Sequence, residues 1–208
     1  MALYRQGYRL VAGLDEAGRG AWAGPVVAGA VILPLDHDGL TQALAGVRDS
    51  KTLHPSARER LYEIIQAQAL AIGVGMVPAR QIDRLGIVPA TKEAMALAIA
   101  RLSCPPDFLL VDFLSLPRLE YPQKSIVHGD ALSLSIAAAS IVAKVSRDRF
   151  MVELDGQYPG YGFASHKGYG TSQHRAALAR LGPSPIHRLS YAPVKAAMQG
   201  RDPTVAGW

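Results

Sequence analysis

The chain has 208 residues, 49% of them hydrophobic and 19% charged, which is long enough for a buried core and too apolar for intrinsic disorder. Lysine and arginine number 22 against 17 acids, and the resulting formal charge of +5 favours a polyanionic partner. One cysteine, Cys104, excludes an internal disulfide, and no Cys/His pairs stand at zinc-site spacing.

The N-terminal residues reach Asp15 and Glu16 before any signal-like apolar run, and the most apolar stretch, Ile136 to Val145, is shorter than the roughly 20 residues a membrane helix needs. A soluble cytoplasmic protein is expected. A strand is predicted over Tyr8 to Leu14 and a second over Pro25 to Leu33, closed by Pro34, with the glycine-rich stretch between them as a hairpin turn. An amphipathic helix over Ser56 to Ala69 places Leu61, Ile64 and Ile65 on one face, and Ala71 to Val77 is a third strand. A helix over Thr91 to Leu102 is capped by Thr91, and Phe108 to Val111 and Ser125 to Val127 are short strands. A long alanine-rich helix runs from about Ala131 to Met151, followed by a helix from Thr171 ended by Gly182 and a proline-bearing coil. Three leading strands and then strands alternating with helices predict an α/β fold with a mixed five-stranded sheet flanked by helices. The expected organisation is a domain over 1–170, with a small C-terminal helix and coil, 171–208, packed on it.

With so few acids, each one lying in or beside an apolar strand asks for an explanation, because an ionised carboxylate buried without a partner costs several kcal/mol or more. Asp15 and Glu16 end the first strand, Asp112 sits within Phe108 to Leu114, and Asp130 opens the long helix. Carboxylates gathered at neighbouring strand ends are relieved by a hard cation or a raised pKa, so a divalent-metal site is predicted. The competing readings are an N-cap for Asp130, an arginine ion pair for Asp112, and a solvated side chain for one of the Asp15-Glu16 pair. Asp148, between Arg147 and Arg149, reads as an ion pair, and Cys104 as a small apolar residue.

Two loops add to this. In Gly18-Arg19-Gly20 the glycines let backbone amides approach a ligand and the arginine offers a fork for phosphate, although a plain hairpin turn explains the same residues. The loop matches neither the GxxxxGK[ST] nor the GxGxxG phosphate-binding pattern, which disfavours a nucleotide-binding enzyme. His166-Lys167-Gly168-Tyr169-Gly170-Thr171 presents a cation, an aromatic ring and hydroxyls together, suited to stacking on a sugar or base and meeting a 2′-OH. The alternative is a solvated turn with Thr171 capping the next helix.

In chain order, DEAGRG at 15–20, DSKTL at 49–53, VD at 111–112, GD at 129–130, AAASIVAKVSRDRFM at 137–151, HKGYGT at 166–171 and IHRLSYAPV at 186–194 resemble bacterial ribonuclease HII over most of the chain. The resemblance implies a ribonuclease H-like fold and an endonuclease that hydrolyses the RNA strand of RNA/DNA hybrids and nicks 5′ to single ribonucleotides in duplex DNA, a step in DNA repair. It implies that Asp15, Glu16, Asp112 and Asp130 are the catalytic, metal-binding acids. Gly18, Arg19 and Gly20 match the loop whose backbone reads the 2′-OH. Tyr169 matches the tyrosine that packs on the ribonucleotide sugar, and Lys51 and Lys144 fall in motifs that approach phosphate. Two positions depart from the family pattern: Phe113 stands where glycine is usual and His128 where lysine is usual. They carry the alternative of a protein that binds hybrid duplex with little or no cutting.

The chemistry agrees with that resemblance. Two divalent ions about 4 Å apart activate water and stabilise the departing oxygen without a protein nucleophile, leaving a 3′-hydroxyl and a 5′-phosphate. All-oxygen ligands select Mn²⁺ or Mg²⁺. The expected partners are RNA/DNA hybrid and ribonucleotide-containing duplex DNA, with no membrane, and the protein is expected to be a monomer.

Overall fold

Apolar runs of strand length and the helical spacings between them become five strands and a set of helices in a computed structural model that describes residues 2–34, 39–47 and 53–200. In chain order these are α1 (Ala2–Arg5), β1 (Val11–Ala17), β2 (Val26–Ile32), α2 (Leu40–Ala43), α3 (Pro55–Gln68), β3 (Ala71–Val77), α4 (Ala79–Leu85), α5 (Ile87–Ala100), β4 (Phe108–Asp112), β5 (Gln123–Ile126), α6 (Gly129–Leu132), α7 (Leu134–Gln157), α8 (Phe163–His166), α9 (Ser172–Leu181) and α10 (Ala192–Met198). The sheet order is β3-β2-β1-β4-β5. β1 pairs antiparallel with β2 and parallel with β4, which pairs parallel with β5, so the sheet is mixed as predicted. No helix among the described residues is long and apolar enough to cross a membrane.

Besides α1, α2, α4 and α8, which the sequence reading did not contain, four elements differ from it. β1 does not stop before the acids: Asp15 and Glu16 lie opposite Gly29 and Ala28 of β2 and continue the ladder to Ala17. α5 begins at Ile87, directly after the left-handed Gly86 (φ 82) that ends α4, with Pro89 in the first turn, where a missing N–H costs nothing. Thr91 therefore does not cap the helix; its hydroxyl donates to the Ile87 carbonyl one turn back, at 2.8 Å. The long alanine-rich helix is broken at Ser133, whose extended backbone (φ −121, ψ 124) separates α6 from α7. The C-terminal coil contains α10, with a proline in its first turn. Thr171 does cap α9, its hydroxyl accepting from the His174 N–H at 3.2 Å.

The chain forms two compact units. The first holds the described residues within 1–17, 27–76 and 92–145 and contains the sheet. A side chain at Gly13 would collide with the Ser135 backbone, and one at Gly29 with the Ala139 carbonyl, so these two glycines let the start of α7 lie directly on the sheet. Val31, Leu61, Ile65, Ile141 and Val142 fill that core. The second unit holds the described residues within 18–26, 77–91 and 146–208. There Met151, Leu154, Tyr161, Phe163 and Ala177 form one cluster, and Trp22, Leu178 and Val194 another.

Candidate functional site

Asp15 is 2% exposed, on the central strand of the sheet. Its Oδ1 accepts the N–H of Glu16 at 2.7 Å, while Oδ2 is buried without a hydrogen-bond partner. Burial first, then the negative charges of Glu16 and Asp112, push its pKa up to about 8, against smaller opposing effects of the Glu16 N–H and the Ser140 hydroxyl. Asp112 ends β4, and its Oδ1 accepts the Gly129 N–H at 2.8 Å, which ties the start of α6 to that strand end. A Cβ at Gly129 would sit 2.6 Å from Ile136 Cδ1, so a side chain there would have to displace that methyl. Asp130 follows, 8% exposed in the first turn of α6. It is not the cap of that helix; the N-cap position belongs to His128. Asp15 thus feels the charges of both Glu16 and Asp112, yet among the described residues no three His, Cys, Asp or Glu side chains close into a ready-made ion cage.

Phe113 (φ 56) and His128 (φ 55), the two departures from the family pattern, both adopt left-handed backbone beside these acids. A left-handed residue is where glycine is cheapest, which gives a physical reason for glycine at the position of Phe113.

The second unit builds the loop that carries Gly18, Arg19 and Gly20. Two arginines that sequence reasoning missed, Arg147 and Arg188, are fully buried. Arg188 donates to the carbonyls of Gly18 (2.7 Å), Arg19 (2.8 Å) and Gly24 (3.1 Å), and the Tyr191 hydroxyl donates to Arg19 O at 2.6 Å. Arg147 donates to the carbonyls of Pro25 (2.9 Å) and Ala23 (3.1 Å). Gly18 is left-handed (φ 91), and any Cβ there would strike the Arg147 guanidinium. Burial lowers the pKa of Arg147 to about 10. The same guanidinium lies 5.2 Å from the ring of Tyr169, which is half-buried. Lys144 is a half-buried residue of α7, and Lys51 lies outside the described residues.

A five-stranded mixed sheet in this order, with acids towards the ends of its two central parallel strands, defines a ribonuclease H-like α/β fold. The Ribonuclease HII family profile matches residues 12–194. A ribonuclease HII from Dehalococcoides mccartyi is 58% identical, covering 93% of this chain and 90% of its own length. One from Chloroflexus aurantiacus is 56% identical over 94% and 92%. The crystal structure of the ribonuclease H2 from Pyrococcus horikoshii OT3 superposes with a TM-score of 0.75 at 27% identity, covering 91% of this chain and 97% of that one. The chain belongs to the ribonuclease HII family, endoribonucleases that act on RNA/DNA hybrids.

Proposed function

We propose that this protein is a divalent-metal-dependent nuclease that nicks 5′ to single ribonucleotides embedded in duplex DNA as well as cutting longer RNA/DNA hybrids, leaving 3′-hydroxyl and 5′-phosphate ends. The observation that carries the reading is Asp15: a buried carboxylate with an unpartnered oxygen, crowded by two more acids, and with no cation among the groups that perturb it. Such a group is satisfied by a hard cation, and an all-oxygen donor set suits Mg²⁺ or Mn²⁺. Asp15, Glu16, Asp112 and Asp130 would hold the metal, which when bound supplies the activated water and the charge stabilisation that phosphodiester hydrolysis needs.

The remaining roles follow from the chain's own groups. The Gly18-Arg19-Gly20 backbone, held by Arg188 through its carbonyls, reads the ribose 2′-OH; Tyr169 packs against the same sugar; Lys51 and Lys144 meet phosphate. A site whose polar groups are matched to a hydroxyl rejects deoxyribose because those groups would otherwise stay unpaired.

The test is a labelled DNA duplex with one embedded ribonucleotide, incubated with Mn²⁺ or with chelator. A nick appears 5′ to that residue only with metal. Asp112→Asn abolishes it, and Tyr169→Ala weakens it while metal binding, followed by calorimetry, survives. A fully active Asp112→Asn removes the metal reading, and salt-dependent hybrid binding with no cleavage at all selects the binding-only alternative.

A further inference from the structure

Tyr169 follows two left-handed residues, Lys167 (φ 53) and Gly168 (φ 81). For lysine that backbone costs about 1 kcal/mol and persists only where the surroundings impose it. The surroundings here are three buried histidines from separate motifs. His166 ends α8, His174 lies in the first turn of α9, and His187 follows Ser184 beyond that helix.

Their hydrogen-bond partners dictate where each proton sits. His187 Nδ1 receives the Ser184 N–H at 2.9 Å, so its own proton is on Nε2. That Nε2 stands 3.0 Å from His174 Nε2, which must accept. The His174 proton is then on Nδ1, 3.0 Å from the Tyr169 carbonyl, a group that can only accept. His166 Nδ1 receives the Gly168 N–H at 3.1 Å, leaving its Nε2–H for the Tyr161 carbonyl at 2.8 Å. The His166 ring stacks on that of His174, with centroids 4.3 Å apart. Every ring nitrogen in the set is used, each ring is neutral, and one directed chain runs from Ser184 through His187 and His174 to Tyr169.

We propose that His174, with its tautomer set by His187, is a positioning residue for ribose recognition: its Nδ1–H holds the Tyr169 carbonyl and so fixes the place from which the Tyr169 ring meets the sugar. The inference rests on the Tyr169 role proposed above.

Isosteric pairs test it. Asparagine places its amide nitrogen where Nδ1 lies, and glutamine where Nε2 lies. His174→Asn keeps kcat/KM on the single-ribonucleotide duplex within about threefold, whereas His174→Gln loses about tenfold or more. In a Tyr169→Ala background His174→Gln adds no more than about a further twofold, because the residue it positions has gone. Equal damage from Asn and Gln overturns the inference. So does a full, multiplicative loss when His174→Gln is added to an impaired Tyr169→Ala, which marks a structural residue. A fully active Tyr169→Ala overturns instead the ribose-reading role on which the inference stands. Should His174→Gln fail to fold by circular dichroism, His187→Gln, whose amide nitrogen replaces the Nε2–H donor, is compared with His187→Met. Retained activity in the first and a loss of about tenfold in the second support the chain, and equal activity of the two refutes it.

Discussion

Asp15 in the first unit and Arg188 in the second are both almost completely buried, yet their electrical situations are opposite. Arg188 is met by backbone carbonyls at 2.7, 2.8 and 3.1 Å, so its charge is spent on shaping a loop. Asp15 has an oxygen with no partner, and its nearest charged neighbours are other acids. A guanidinium finds acceptors wherever a turn exposes its carbonyls, because neutral oxygens can satisfy its donors. A carboxylate needs donors or a cation, and the sheet around Asp15 offers few. The first unit therefore leaves a carboxyl oxygen that its own groups do not satisfy, and the second satisfies its guanidinium internally.

The sharpest way to break that contrast is to neutralise each side. Asp15→Asn is expected to lower metal-dependent nicking by about a thousandfold or more while raising metal-free stability by about 1–3 kcal/mol, since it removes charge crowding and keeps the acceptor for the Glu16 N–H. Urea unfolding in chelator reads the second effect, and a destabilised Asn variant would show that the acid is a structural member after all. Arg188→Met should do the reverse, costing about 3 kcal/mol or more because three carbonyls lose their donor. Calorimetric metal binding should be unchanged in that variant, and a lost metal site would end the separation of roles.

The histidines sharpen the comparison through pH. Burial and mutual repulsion lower His174 to about 4 and His187 to about 3. Below the ordinary value of about 6.5 the unfolded chain takes up protons that the folded one refuses, so stability is full above pH 6.5 and falls as pH drops towards 4. The expected slope is up to about 1.4 kcal/mol per pH unit per histidine, read by denaturant unfolding between pH 7 and 4.5. A flat profile there would contradict the neutral chain. The smallest effect is expected at Phe113: Phe113→Gly should change stability by less than about 1 kcal/mol, whereas the β-branched Phe113→Val should lower it by about 1–2 kcal/mol at that left-handed position.

Asp15 and Asp112 stand out in the sequence as candidate site residues because acids in apolar strands conflict with their surroundings, and the strand pattern located all five strands to within about three residues. Two things hid the rest. Buried arginines and histidines whose partners are backbone groups or one another leave no charge pattern in sequence, so Arg147, Arg188, His174 and His187 carried no local signal beyond their place in family motifs. Helix boundaries depended on single residues whose effect is ambiguous in isolation: Thr91 reads as a cap until Pro89 and Gly86 move the helix start, and Ser133 reads as helical within an alanine-rich run. Gly29 illustrates a third limit. Its role is to admit α7 beside Asp15, and that needs the register Asp15↔Gly29, which only the folded sheet supplies.

The hydrogen bond from Arg188 to Gly18 joins residues 170 apart in sequence. During synthesis at about 5–20 residues per second, the Gly18-Arg19-Gly20 loop emerges roughly 10–30 s before the arginine that shapes it. The loop proposed to recognise ribose is thus completed by a residue made well after it. Asp15 and Glu16, just ahead of that loop, are likewise made long before the guanidinium that holds its carbonyls.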